Sequence, residues 1–122
     1  MGLDMYVFTT TTSLTQPVDF EEPENIERLH YWRQHPNLHG WIEALYFAKG
    51  GTNKDFNMSP VSLEPDDLDA LELAVALDLL PVTAGVCFGR SNGRERDDDL
   101  EFIEKARRAI GEGKSVFYLA SW

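Results

Sequence analysis

Two segments near opposite ends of the chain most constrain its fold, because each is apolar on both faces of a possible β-strand. Apart from Ser115 and Ser121, the uncharged residues of segments 3–8 (LDMYVF) and 115–122 (SVFYLASW) are aromatic, β-branched or aliphatic, and Asp4 is the only charge. Such side chains favour strands, and a strand that is apolar on both faces is typical of the middle of a sheet. We therefore predict that the first and last strands are central, and that Asp4 needs a polar or cationic partner.

In much of the chain between these strands, apolar residues recur at the spacing of an α-helix. After residues 31–33, which we interpret as an extended or irregular approach, one helix is predicted to end at Gly50-Gly51. Its apolar face follows the i, i+3, i+4, i+7, i+8 spacing, and consists of Leu38, Trp41, Ile42, Leu45 and Tyr46.

Two further helices follow in the second half of the chain. Ser62 is predicted to cap the first of them, with Pro65 in its first turn, and Pro81 ends it. Because leucines occupy most of its circumference, we expect it to be the most buried helix. Asp97 or Asp98 is predicted to cap the last helix.

The remaining segments read as loops and short strands. Residues 13–25 indicate a loop, residues 56–61 a short edge strand, and residues 84–88 a strand-like crossing in which Cys87 is a small core residue. The prediction is a single α+β domain spanning residues 1–122, with a mostly antiparallel sheet of three or four strands covered by three helices.

Composition and charge limit the compartment and the partners. The chain is 43% hydrophobic and 26% charged, and no apolar run approaches the roughly 20 residues of a membrane span, so we predict no membrane association. One cysteine and no targeting signal favour a reducing cytoplasm. Eleven basic against 21 acidic residues give a net charge of −10, which opposes binding to nucleic acid.

The candidate site is the aromatic stretch at residues 31–42. A stacking and anion-binding pocket could form from Arg33 and the flat aromatic rings, but these rings could equally be core residues, with a partly buried Arg33 neutralising Asp4. We favour the core interpretation. The candidate ligand-binding residues are Asp4, Tyr31, Trp32, Arg33, His39 and Trp41.

Other patterns are weaker. His35 and His39 stand four apart like a helical metal pair, but no further ligands are evident, and we predict no metal or cofactor. Residues 111–115 fail as a phosphate loop, since Arg108 occupies the first glycine position. Seven acidic and no basic residues lie between positions 54 and 90, which predicts a negative helix face.

Four segments resemble a family of small uncharacterised proteins found in bacteria and their phages. They are MGLDMY at residues 1–6, YWR with HGW at 31–41, the LP to GVCFG segment at 80–89, and FYLASW at 117–122. Family members commonly carry a histidine and a tryptophan shortly after Tyr-Trp-Arg, which His39 and Trp41 match, whereas Pro36 departs from the pattern. The resemblance implies no established activity. Kinase-like names carried by some members find no support in a chain this short.

Two hypotheses of function follow. The first is a non-enzymatic binding or protein-interaction module, such as an accessory protein of a phage or mobile element. It contacts a protein or a small anionic or aromatic ligand through the aromatic stretch or the acidic helix. The second is a small enzyme in which Asp4, Arg33 and His39 converge and His39 acts as general base. A shared concave site for these three residues would favour the enzyme.

Overall fold

The computed structural model describes residues 2–85 and 88–122 and shows an α+β fold, which confirms the predicted class. The strands are β1 (Asp4–Thr10), β2 (Ile26–Arg33), β3 (Val61–Leu63) and β4 (Ser115–Ser121). They form one sheet in the order β2-β1-β4-β3, and every pairing is antiparallel. The described helices are α1 (Pro36–Ala48), α2 (Pro65–Ala76) and α3 (Arg96–Gly111). The first and last strands are central, as predicted.

One face of the sheet forms the core with the helices. Alternate side chains of β1 and β4 point to this face, and Met5, Val7, Val116, Tyr118 and Ala120 are buried there. Buried residues of all three helices join the same cluster, among them Leu38, Leu71 and Phe102. None of these helices is long and apolar enough to cross a bilayer.

The opposite face of the sheet lies outside this core. It carries Asp4, Tyr6 and Phe8 from β1, and the β4 residues Phe117 and Leu119 lie opposite Phe8 and Tyr6. Phe20, from the loop after β1, packs edge-on against Phe117 at a centroid distance of 5.3 Å. Tyr6 and Phe8 remain half-buried. This face is therefore only partly covered.

Residues 31–33, predicted as an extended or irregular approach, are extended and belong to strand β2, which was not predicted from the sequence. Ile26–Arg33 pairs with β1 along its whole length, with a register shift between Val7 and Phe8. The strand lies at the edge of the sheet and contains Glu27, Arg28 and Arg33. Charges are tolerated on an edge strand, and they hide the apolar alternation that identifies buried strands.

The predicted helix caps were also wrong. Ser62 lies in β3, and Glu64 caps α2 through a capping box with Asp67. The third helix begins one residue after Glu95, earlier than expected, so that Asp97–Asp99 lie in its first turn. Carboxylates there are favoured by the helix dipole, which explains why the sequence made them look like caps.

The expectation that α2 is the most buried helix was wrong as well. Leu73 is 59% exposed, because only the face with Leu68 and Leu71 packs into the core. The helix ends at Ala76, before the predicted end at Pro81, and Leu77 beyond it is 58% exposed. The short edge strand lies at 61–63, later than predicted. Of the crossing expected at residues 84–88, positions 84, 85 and 88 are in no strand; Cys87 lies outside the described residues.

Candidate functional site

The six candidate residues divide between the two faces of the sheet. Asp4, Tyr31 and Arg33 lie together on the face outside the core. Trp32 and His39 are buried in the core, and Trp41 packs against it from α1. Successive side chains of a strand point to opposite faces of the sheet, so Trp32 points to the core face while Tyr31 and Arg33 point to the other face.

The three residues that meet form a polar cluster at the end of β1. Tyr31 Oη donates a 2.7 Å hydrogen bond to Asp4 Oδ1, and Arg33 Nη1 lies 4.0 Å from the same oxygen. The hydrogen bond to Asp4 raises the pKa of Tyr31, because ionisation would remove the proton that it donates. Asp4 thus has the partners that its place on an apolar strand requires.

Arg33 is more exposed than expected. Its side chain is 55% exposed, which corrects the expectation of a partly buried guanidinium that neutralises a buried carboxylate. The physical reason is its position at the end of an edge strand, where the long side chain reaches solvent. Its ion pair with Asp4 is therefore a surface ion pair, which contributes little to stability.

Replacing Arg33 by methionine is expected to change the free energy of unfolding by less than about 1 kcal/mol, because solvent screens exposed ion pairs. Urea denaturation of Arg33→Met, Asp4→Asn and the double variant measures this change and the coupling. Arg28→Met is the matched control for loss of an exposed arginine on the same strand. A loss of several kcal/mol in Arg33→Met, restored by Asp4→Asn, would contradict the assignment.

Aromatic neighbours extend this cluster along the sheet. The Tyr6 ring lies 5.1 Å from that of Tyr31 and 5.8 Å from that of Phe8. Arg28 Cζ lies 5.7 Å from the centre of the Tyr31 ring, within the range of a cation–π contact. We call this surface the open face; it comprises Asp4, Tyr6, Phe8, Arg28, Tyr31 and Arg33.

Sequence reasoning missed Tyr6, Phe8 and Arg28 as site residues. The alternation along β1 separates Tyr6 and Phe8 from Met5 and Val7, but it does not show which of the two faces the helices cover. Recognition of β2 as a strand would have placed Arg28 beside Phe8 and Tyr31 beside Tyr6.

His39 lies in a different environment. Its Nδ1 lies 2.6 Å from the Tyr118 hydroxyl, and its ring is packed among Phe56, Phe88 and Trp122. Burial lowers the pKa of His39 to about 4. Among the described residues, its Nε2 is a buried ring nitrogen without a hydrogen-bond partner.

The structure therefore does not bring His39 to Asp4 and Arg33. His39 binds a β4 residue on the core face, whereas Asp4 and Arg33 lie on the open face. A general base must reach the proton that it removes, and His39 is only 1% exposed. The geometry gives no support to an enzyme built on these three residues.

The acidic helix is less negative than its sequence indicates. Arg107 on α3 binds Asp69 and Glu72 at 2.7 and 2.8 Å, and Lys49, the residue after α1, binds Asp67. The hydrogen bond to Arg107 lowers the pKa of Glu72. Much of the acidic surface thus links α2 to its neighbours.

The two histidines with helical metal spacing face different groups. His35 lies beside Asp99 and Ser91, whereas His39 lies beside Tyr118. Over residues 2–85 and 88–122, no group of three or more histidine, cysteine or acidic side chains is arranged to hold a metal ion. The spacing of four therefore does not produce a shared site.

Comparisons of this chain with protein-family models, with curated proteins and with solved structures give no match. The resemblance to small bacterial and phage proteins therefore stays a prediction.

Proposed function

We propose that the protein is a binding module and that the open face, which takes part in no reaction, is its contact surface for a segment of a partner protein. The observation that carries this proposal is the row of Tyr31, Tyr6 and Phe8 rings, left outside the core and flanked by two arginines. Tyrosine and arginine are the residue types that most often dominate binding energy at protein interfaces.

The charges of the open face indicate the chemistry of the partner. Arg28 and Arg33 are exposed and Asp4 is half-buried, so this surface is locally positive on a protein of net charge −10. A guanidinium binds a carboxylate through two parallel hydrogen bonds. We therefore assign the face to an acidic segment whose aromatic or aliphatic side chains contact the tyrosine and phenylalanine rings.

Other occupants fit less well. A nucleic acid would meet the repulsion of the remaining acidic surface. A second copy would bring two strongly negative chains together and oppose identical arginines. The acidic helix is a weaker contact surface, because its carboxylates already form ion pairs with lysine and arginine side chains of the same chain. These carboxylates are Asp67, Asp69 and Glu72. A cytoplasmic location and a phage accessory role remain part of the proposal.

Panning a random 12-residue peptide library against the purified protein tests this assignment. Enriched peptides are expected to combine acidic with aromatic or aliphatic residues. For a synthetic peptide from this pool, Tyr31→Ala and Arg33→Glu should each weaken binding by roughly tenfold or more, the usual effect of removing an interface anchor. Fluorescence anisotropy measures the dissociation constants.

Control experiments distinguish a loss of binding at the open face from the effects of altered net charge or of unfolding. Arg94→Glu makes the same charge change on an exposed loop and should leave peptide affinity within about twofold, since distant exposed charges are screened. Thermal melts establish that each variant is folded. The proposal fails if no peptide is enriched, or if binding is indifferent to Tyr31 and Arg33.

A further inference from the structure

A hydrogen-bond network joins the buried side chains of His35 and Asp99 to the partly buried Ser91, although the three are far apart in the sequence. His35, the residue before α1, lies with Nε2 2.8 Å from Asp99 Oδ2 in the first turn of α3. Its other ring nitrogen, Nδ1, lies 2.6 Å from Ser91 Oγ. The order is that of a carboxylate, an imidazole and a hydroxyl, which is recognised by geometry and roles rather than by sequence position.

The neighbours of this network fix the direction of its hydrogen bonds. The Trp32 indole can only donate, and its Nε1 lies 3.0 Å from Asp99 Oδ1. Asp99 accordingly acts as an acceptor for Trp32 and for the Nε2–H of His35. Nδ1 is then an acceptor, and the Ser91 hydroxyl donates to it. The backbone N–H of Asn37 donates to Ser91 Oγ at 3.1 Å.

A cavity of about 250 Å³ opens onto these side chains. Val75 and Leu80 form its apolar wall, and its polar wall is formed by His35, Asn37, Asp78, Ser91, Glu95, Arg96 and Asp99. Its volume is below the 300 to 1,000 Å³ typical of sites for drug-sized ligands. The cavity therefore fits a small group with one apolar end, such as a short acyl chain.

We propose that Ser91, His35 and Asp99 form an esterase site for short-chain acyl esters, with Ser91 as nucleophile and His35 as general base. This activity is separate from the binding function of the open face. Asp99 is a positioning residue, since it orients the imidazole and does not touch the substrate. Trp32 in turn holds the Asp99 carboxylate.

The reaction needs only the ester and water. Ser91 Oγ attacks the carbonyl carbon while its proton passes to His35 Nδ1, and the ester C–O bond breaks as that proton moves to the leaving alcohol. Water then attacks the acyl-serine and gives a proton to Nδ1. The bond from Oγ to the acyl carbon breaks, the acid leaves, and Ser91 regains its proton.

Two features stabilise the charges that develop during these steps. The N–H of Asn37, at the N-terminus of the 13-residue helix α1, donates to Ser91 Oγ and so favours the negative charge that develops on this oxygen as its proton leaves. Glu95 Oε2 lies 3.7 Å from His35 Nδ1 and favours the imidazolium that forms when Ser91 loses its proton. Both groups are in place without any movement of the backbone.

The test uses a fluorophosphonate probe, which forms a covalent bond with activated serines, and p-nitrophenyl acetate as substrate. Mass spectrometry of the labelled, digested protein is expected to place the probe on Ser91. Ser91→Ala should abolish labelling and lower the hydrolysis rate on the order of a hundredfold or more. Ser13→Ala, at an exposed serine, is the matched control and should retain both.

Further variants keep the test decisive if Ser91→Ala is less stable. Ser91→Cys keeps a nucleophile and should react with iodoacetamide faster than free cysteine does. Asp99→Asn should lower the rate and alter its pH profile in a folded protein, which a purely structural carboxylate would not do. The proposal is overturned if the folded wild-type protein does not label at Ser91, or if Ser91→Ala hydrolyses the ester as fast as wild type.

Discussion

A chain truncated after Lys114 is expected to lose its cooperative unfolding transition. The truncation removes β4, which pairs with β1 on one side and β3 on the other. It also removes Val116, Phe117, Tyr118 and Ala120, all at most 2% exposed. Burial of a large apolar side chain contributes about 1.5–3 kcal/mol, so the loss is comparable to the whole stability of a domain, about 5–15 kcal/mol.

Circular dichroism and thermal melts of the fragment 1–114 measure this loss. A synthetic peptide of residues 115–122 supplies the control, because its addition should restore a cooperative transition if the missing strand is the only defect. A reversed-sequence peptide of the same composition should not restore it. A melt of the fragment alone near the full-length midpoint would show that β4 is not structural.

The helices and central strands could be predicted because their signals are local. The apolar spacing from Leu38 to Tyr46 and the doubly apolar β4 identify their elements without knowledge of the partner. Strand β2 could not be predicted in this way, since Glu27 and Arg28 interrupt its alternation. The exposure of Leu73 was equally hidden, because composition does not reveal which side of α2 the core will cover.

For the candidate site, too, only the features with a local sequence signal could be predicted. The partnership of Asp4 and Arg33 could be inferred because a carboxylate on an apolar strand requires compensation. Their separation from His39 depends on which sheet face α1 covers, and no spacing in the sequence encodes that. The contact of His35 with Asp99 joins residues 64 positions apart, so it follows from the assembled fold alone.

Acidification is expected to destabilise the protein through His39. Burial among aromatic rings lowers the pKa of His39 from 6.5 to about 4, so the folded state holds a neutral imidazole where the unfolded chain binds a proton. Stability from this group is complete above about pH 6.5 and declines as the pH falls toward 4. A difference of this size corresponds to about 3 kcal/mol at acidic pH.

Titratable groups near His39 also have shifted pKa values, and the experiment must separate their effect on stability from that of His39. Burial raises the pKa of Glu43, and burial together with the Glu43 charge raises that of Tyr118. A raised carboxyl pKa changes stability in the opposite direction, since it favours folding as the pH falls. The informative quantity is therefore the difference between the stability curves of wild type and a His39 variant, in which the contribution of Glu43 largely cancels.

Urea denaturation of wild type and His39→Gln from pH 4 to pH 7.5 gives these curves. Glutamine keeps an acceptor for the Tyr118 hydroxyl but does not titrate, so the variant should be less stable at pH 7 yet lose less stability on acidification. Tyr118→Phe keeps the aromatic enclosure, and NMR titration should still give its His39 a pKa well below 6.5. Parallel curves for wild type and His39→Gln, with a His39 resonance titrating near 6.5, would mean that the ring is solvated, because burial is what lowers the pKa of this imidazole.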